Sequence, residues 1–366
     1  MKISILKLYR YHLPLTNVLR TVKSESDRRE GLLVELKDAN GNIAYGEIAP
    51  LEGFSKENMP QAVEEVSSIR SRIIGDELPA GLEGLNGGFD LWFNRYSLSP
   101  SVRFGLESAV MELIARGKDQ SLATLLGVAR SAAIKVCGLL SGSTDDILSK
   151  ARAAAESGFS CVKLKVGHLS VSEAAKVVGD VRNHLGNSSA LRVDANRAFA
   201  IDHALEFMNR IKAFDVEYVE EPARNLNQLR KLLSEKPGSV GVALDESLSE
   251  IRPEDLSLGY HVKAIVIKPT MLGLERACRF ARSAAANRIA AVISSSYESS
   301  VGMRVLAAMA AAFAPDVPAG LDTVDLFAED LLEPPVRIAG GQIATECYDG
   351  PLHGLKPDLV EEITDG

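Results

Sequence analysis

Three carboxylates recur at nearly equal intervals along the chain, each just past a short apolar run: Asp194 in ALRVDAN, Glu220 in VEYVEEP and Asp245 in GVALDES. They lie 26 and 25 residues apart. Lysines hold the equivalent place one unit to either side, Lys165 in CVKLKVG and Lys268 in AIVIKPT. Such a spacing fits one strand, one helix and two loops, and a fixed period of that size marks a repeated unit. In a β/α barrel the strand ends converge on one rim, and that rim carries the chemistry. Five charged groups distant in sequence are therefore expected to meet at one spot.

Three crowded carboxylates repel one another unless a cation sits among them. Oxygen-only donors select a hard ion, so Mg²⁺ is the expected cofactor and Mn²⁺ the alternative. No His or Cys falls in the ligand register, which argues against Zn²⁺. A lysine on each side of such a metal suggests removal of a proton next to a substrate carboxylate, the metal neutralising the dianion that results. A lysine acts as base when its pKa is lowered towards about 7–8. Lys163, two residues before Lys165 and on the same strand face, is expected to help by like-charge repulsion.

Strand parity also groups Arg192, Asp194 and Asn196 on one face, with Arg192 beneath Asp194 and Asn196 above it. Only one of Glu220 and Glu221 can face inward, and Asp245 and Glu246 must diverge; parity leaves open which. A lone charged residue at a strand end is ordinarily solvated. Glu221 and Glu246 are expected only to salt-bridge neighbours. The shared register of three acids and two lysines in five successive units is what a purely structural reading does not explain.

The elements that must position these groups can be read in order. Residues 1–50 hold three strand-like runs, MKISILKLYRY, GLLVELKD and NIAYGEIAP, the last two joined by an Asp38–Asn42 turn. The polar stretch TNVLRTVKSESDRREG between the first two reads as a loose hairpin loop or a lid. A helix is expected over 56–75 with Ser55 as its cap, and a second over VRFGLESAVMELIARG, capped by Ser101 and ended by Gly117. From about residue 133 strands and helices alternate. The runs AAIKVCGLL, CVKLKV, ALRVDA, VEYVE, GVALD, AIVIK, AAVISS and PAGLDT give eight strand candidates, enough to close a barrel. The expected organisation is an α/β fold: an N-terminal α+β domain with linking helices (1–130), a β/α barrel (131–325), and a tail (326–366) that folds back on the first domain.

With 366 residues the chain is long enough for both. A hydrophobic content of 46% and a net charge of −8 describe a soluble globular protein without the basic face that nucleic acid requires. No apolar run approaches the roughly 18 residues of a membrane span, and the N-terminus lacks a signal-peptide layout. Four scattered cysteines without a CxxC pair fit a reduced, cytoplasmic setting, with Cys137 and Cys161 as small core residues.

KxK on one strand, then DxN, EEP, DES and KP on the next four, resembles the enolase superfamily, most closely its muconate-lactonizing subgroup. That superfamily is the standard example of a Lys or His base working with one or two Mg²⁺ ions on an enediolate, so this step rests on the resemblance and not on the spacing. Within the subgroup, GEIAPLEGFSKE, PSVRFGLESAVMEL, VCGLLSG, LRVDANRAF and ISSSYESSVG are similar to segments of the o-succinylbenzoate synthase family. The resemblance implies a modified TIM-type (β/α)7β barrel with an α+β capping domain made of the N-terminal region and the C-terminal tail. It implies Asp194, Glu220 and Asp245 as metal ligands and Lys165 as general base, acting on a small-molecule carboxylate. That substrate would be 2-succinyl-6-hydroxy-2,4-cyclohexadiene-1-carboxylate, dehydrated in menaquinone biosynthesis. Lys268 would face the other side of the ring. Arg192 and Asn196 would orient the site, and Ser294 and Gly320 would touch the succinyl tail. The 16–30 stretch and the GFS turn at 53–55 are similar to loops that close over substrate. The rival reading is an N-succinylamino acid racemase or dipeptide epimerase with Lys165 and Lys268 as its two bases. A non-catalytic scaffold is disfavoured, because every one of these charged residues is intact. The glycine doublet usual after KPT is only half kept, Gly273 being followed by Leu274.

Overall fold

A computed structural model describes residues 1–20, 25–75, 77–128, 133–235, 240–256, 261–349 and 352–364. The chain opens with an antiparallel sheet of β1 (Ile3–Arg20), β2 (Glu25–Asp38) and β3 (Ile43–Ile48). Two helices cover it, α1 (Met59–Ile73) and α2 (Pro100–Gly117). The polar stretch expected as a loop instead extends the first hairpin, with Leu19 paired to Ser26 and Arg20 to Glu25; its tip, 21–24, lies outside the described residues. The strands can run on through polar residues because the hairpin there has both faces towards solvent, as the exposed run Glu25–Arg28 shows.

Both expected helix caps are displaced. Asn58, not Ser55, caps α1: its side chain accepts from Gln61 N at 3.0 Å while Gln61 accepts from Asn58 N at 2.9 Å, a reciprocal capping box. The Ser55 hydroxyl is already engaged by Leu51 N at 2.9 Å. Pro100 occupies the first turn of α2, so the cap falls at Ser99 and the Ser101 amide donates to Glu57 Oε1 at 3.0 Å.

The second sheet is parallel and in sequence order: β4 (Gly138–Leu140), β5 (Cys161–Lys165), β6 (Ala190–Asp194), β7 (Val216–Glu220), β8 (Gly241–Leu244), β9 (Val262–Ile267) and β10 (Ala290–Ile293). Strands buried on both faces read as continuous apolar runs, and all four residues of β8 are buried. Serine capping boxes start two of the outer helices, Ser143 with Asp146 on α3 (Thr144–Glu156) and Ser170 with Glu173 on α4 (Val171–Leu185).

Two of the eight strand candidates change. AAIKVCGLL splits: Ile134–Lys135 pair antiparallel with Gln342–Ile343 of the tail, and only Gly138–Leu140 join the barrel sheet. PAGLDT is reduced to single bridges, yet it closes the cylinder. Ala319 accepts from Cys137 N and donates to Lys135 O, both at 2.8 Å. Gly320 donates to Ile293 O at 2.8 Å and accepts from Ser295 N at 2.9 Å. Pro318 has no amide to give, and the Leu139 amide is taken by the Asp322 side chain at 2.7 Å, so no regular eighth strand forms. The architecture is the expected α/β barrel with an α+β cap. A proposed boundary between residues 130 and 131 lies outside the described residues. In the tail, β11 (Val360–Glu362) pairs antiparallel with β1 through Tyr9–Glu362 and Tyr11–Val360, so the tail does return to the first sheet.

Glu47 on β3, buried, pins cap to barrel. It accepts from the Tyr11 hydroxyl, from Ser299 N at 2.9 Å, from Ser299 Oγ at 2.7 Å and from Gly302 N at 2.7 Å. The cap packs closely on its own helix at Gly46, where an added Cβ would stand 1.9 Å from Gly105 O. Gly46→Ala is accordingly expected to lower stability by about 1–3 kcal/mol or more, since backbone rather than a side chain must move. Urea unfolding should show a lower midpoint with an unchanged m-value.

Candidate active site

Alternation along β5 turns Lys163 and Lys165 to the same, inner face, and the ladder brings their neighbours level. Lys165 pairs in register with Asp194, and Asp194 with Glu220. Asp245 directly follows β8, Lys268 follows β9 and Ser294 follows β10. The five spaced charges therefore end on one rim, as their period predicts.

Glu220 is the inward member of its doublet and is fully buried. Glu221 turns away at φ 42°, accepting from Asp245 N at 2.9 Å and Ser247 N at 2.7 Å and pairing with Arg197 at 3.1 Å. Glu221 is thus the salt-bridging neighbour expected. Glu246 is not: no ion pair joins it to another described residue, and its buried Oε2 has no hydrogen-bond partner. Burial, aided by Asp245, pushes its pKa up to about 7.

The Lys163 ammonium bridges two of the acids, 2.7 Å from Glu220 Oε1 and 3.0 Å from Asp194 Oδ2. Lys268 pairs with Asp245 Oδ2. Burial alone would raise the pKa of Asp194, but the ammonium groups of Lys163, Lys165 and Lys268 outweigh it and hold the group down to about 2. Glu220 moves the other way, driven up by its burial and then by the Asp194 charge. Burial would lower Lys163 and Lys268, yet facing carboxylates keep both ammonium groups protonated. Lys163 is therefore engaged by two acids and does not stand as a free ammonium beside Lys165. The Lys165 side chain, half-buried, forms no hydrogen bond or ion pair with any described residue.

The donor set fits a hard divalent ion. Three carboxylates converge, and Glu220 Oε2 is buried without a partner. Among the described residues neither His nor Cys joins them. Among the described residues no three acidic, His or Cys side chains stand as a ready-made cage, for Lys163 and Lys268 are salt-bridged to oxygens that an ion would take.

A cavity of about 100 Å³ opens over this rim. Lys165 and Lys268 both line it. They project from the second and sixth positions of an eight-membered cylinder, hence from opposite walls. Arg192 lies beneath Asp194 as parity requires, bonded to Glu217 at 2.8 Å and Pro318 O at 2.8 Å and stacked 5.3 Å over the Tyr218 ring. Asn196, in a left-handed turn at φ 44°, orients Asp194 through its backbone amide, 2.9 Å from Oδ1. Ser294 and Gly320 face the cavity together, the hydroxyl donating to Gly320 O at 3.2 Å. Cys137 and Cys161 are buried as expected, their sulfurs 2.9 Å apart.

Several lining residues were not singled out individually by the sequence. Tyr218 sits two residues before Glu220 and Asp322 two after Gly320, so extending parity by one step would have found both. Phe54 of the GFS turn reaches over the rim, its ring 5.9 Å from Lys268 Nζ. Tyr297, and Arg29 that binds its carbonyl from behind the wall, carry no sequence signal of their own.

Residues 146–360 match the family described as "Enolase C-terminal domain-like", and residues 3–113 match "MenC, N-terminal domain". The o-succinylbenzoate synthase of Aliivibrio salmonicida is 32% identical over 90% of this chain and 93% of its own. Protein PHYLLO, chloroplastic, of Arabidopsis thaliana is 33% identical over 75% of this chain, which spans only 17% of that protein's length. Among solved structures, a magnesium complex of an enolase superfamily member from Roseovarius nubinhibens superimposes with a TM-score of 0.87 at 18% identity, covering 99% of this chain and 98% of that one. A substrate-liganded L-Ala-D/L-Glu epimerase from Bacillus subtilis does so at 0.83 and 20%, covering 97% and 99%. At such identities the superpositions speak for the fold alone.

Proposed function

The chain belongs to the enolase superfamily, alongside the o-succinylbenzoate synthases, and from that premise we propose that it is a Mg²⁺-dependent o-succinylbenzoate synthase. The substrate is 2-succinyl-6-hydroxy-2,4-cyclohexadiene-1-carboxylate, and the reaction eliminates water to give 2-succinylbenzoate, a step of menaquinone biosynthesis. The observation that carries this reading is the 32% identity to a synthase over 90% of the chain, joined to a cap that matches the MenC N-terminal family.

Asp194, Glu220 and Asp245 would hold the ion, which when bound supplies the positive charge that stabilises the enediolate left by α-proton loss. Lys165 has the one unengaged amine of the lysine set and takes that proton on Nζ. The same group, now an ammonium, then gives a proton to the departing hydroxyl, so that one C–H and one C–O bond break and water leaves. Aromatisation drives the second step. Lys268, held by Asp245 on the opposite wall, stays charged and faces the developing anion. Ser294 and Gly320 are suited to the succinyl tail, the Asn196 amide to orienting Asp194, and Arg192 to holding Tyr218 and Glu217 in the floor of the site.

A second reading, racemisation or epimerisation of an N-acylated amino acid or dipeptide, is favoured by one observation: lysines on opposite walls can serve as two bases. Lys268→Ala separates the two. For a racemase it stops solvent-deuterium exchange at the α-carbon of one substrate enantiomer and spares the other. For a synthase it slows dehydration, and neither enantiomer of an N-succinyl amino acid is a competent substrate at a comparable rate. Proton NMR in D₂O reads both.

A further inference from the structure

Two pieces of the cavity wall come from different halves of the molecule. Leu51 and Phe54 come from the cap, and Ser295, Ser296 and Tyr297 follow the last barrel strand. One side chain joins them. Arg29, on β2 and 5% exposed, donates from Nε to Tyr297 O at 3.0 Å and from Nη1 to Pro50 O at 2.7 Å and Glu30 O at 3.0 Å. From Nη2 it donates to Ala49 O at 2.5 Å and Ser296 O at 3.4 Å. No carboxylate among the described residues pairs with it. A buried guanidinium is costly unless its donors are satisfied, and here backbone carbonyls of three segments satisfy them.

What Arg29 holds is otherwise under strain. Tyr297 adopts φ 64°, a left-handed conformation unfavourable for an aromatic residue and sustained only where the surroundings over-determine it. Its amide is fixed by Ser295 Oγ at 2.9 Å and its carbonyl by Arg29. Lysine could not replace this fork, having three donors on one point and no planar spread.

We infer that Arg29 is a positioning residue for substrate binding: its guanidinium locks the 49–54 segment of the cap to the 296–297 turn of the barrel, so that the cavity wall is preformed before substrate arrives. It touches no reacting atom, and its effect belongs in KM rather than kcat. The inference rests on the cavity being the substrate site proposed above.

The test uses the full-length protein with Arg29→Met and Arg29→Lys. Arg29→Met is expected to raise KM for the cyclohexadiene substrate about tenfold or more with kcat within about threefold, and Arg29→Lys to fall between it and wild type. Hydrogen–deuterium exchange without substrate should quicken at least tenfold at amides 51–55 and 295–299 in Arg29→Met, leaving β6 and β7 unchanged. Unaltered KM and unaltered exchange overturn the inference, as does a uniform rise in exchange across the barrel with kcat and KM both damaged in the two variants, which marks a merely structural residue. If the wild-type protein does not turn over this substrate, the proposed function fails, and the exchange measurement alone then decides whether Arg29 holds the wall.

Discussion

Lys165→Ala is expected to abolish dehydration, with a loss of at least 10²–10⁴-fold in kcat, the range that a positioned general base contributes. The expectation rests on the contrast among the three rim lysines. Lys163 and Lys268 are each committed to carboxylates, whereas Lys165 shares the cavity without a partner. Removing it takes away both the proton acceptor and the later donor, so no neighbour can substitute at once. Single-turnover assays on the folded variant, checked by an unchanged circular dichroism spectrum and unchanged Mg²⁺ affinity, measure the effect. A variant that dehydrates at the wild-type rate would show that another group is the base.

Glu220→Gln carries the second large effect. The substitution keeps the volume and removes one of three converging charges, the one driven upward by burial and by Asp194. Mutating a group that merely orients a metal ligand costs 10–100-fold in affinity, so loss of a ligand should cost at least 100-fold. Calorimetric titration of Mg²⁺ in the absence of substrate reads this directly. Thermal unfolding gives an independent sign. At a hundredfold excess over Kd the ion should stabilise the wild-type protein by about 2.7 kcal/mol, and that gain should fall to about 0.4 kcal/mol or less in the variant. A variant that keeps full Mg²⁺ affinity would remove Glu220 from the ligand set.

Periodicity made the rim legible. A strand-and-helix unit of about 25 residues fixes where each strand ends, and the ladder then brings Lys165, Asp194 and Glu220 level without further information. Parity reached Arg192 for the same reason, whereas Asn196 stands past the strand end in a left-handed turn and meets Asp194 through its backbone amide. Parity could not separate Glu220 from Glu221, because both stand at the point where the strand gives way to a left-handed turn, and the turn decides which points inward. Residues that depend on contacts between the two halves of the chain stayed hidden. Arg29 and Tyr297 are 268 positions apart and meet only after the cap docks on the barrel. The caps of α1 and α2 were misplaced by local competition, Ser55 for Leu51 and Ser101 for Glu57, which involves partners up to 44 positions away. The eighth strand was overestimated because composition does not reveal that Asp322 takes the amide a ladder would use.

The measurement that bears most directly on the account is turnover of 2-succinyl-6-hydroxy-2,4-cyclohexadiene-1-carboxylate by the purified protein, followed by ultraviolet absorbance of the aromatic product. With Mg²⁺ present the product should accumulate, stop on addition of EDTA and resume when Mg²⁺ is restored in excess. Absence of product at saturating Mg²⁺, or an equal rate in EDTA, would contradict the claim that acids and lysines on this rim work together with a divalent ion on that substrate.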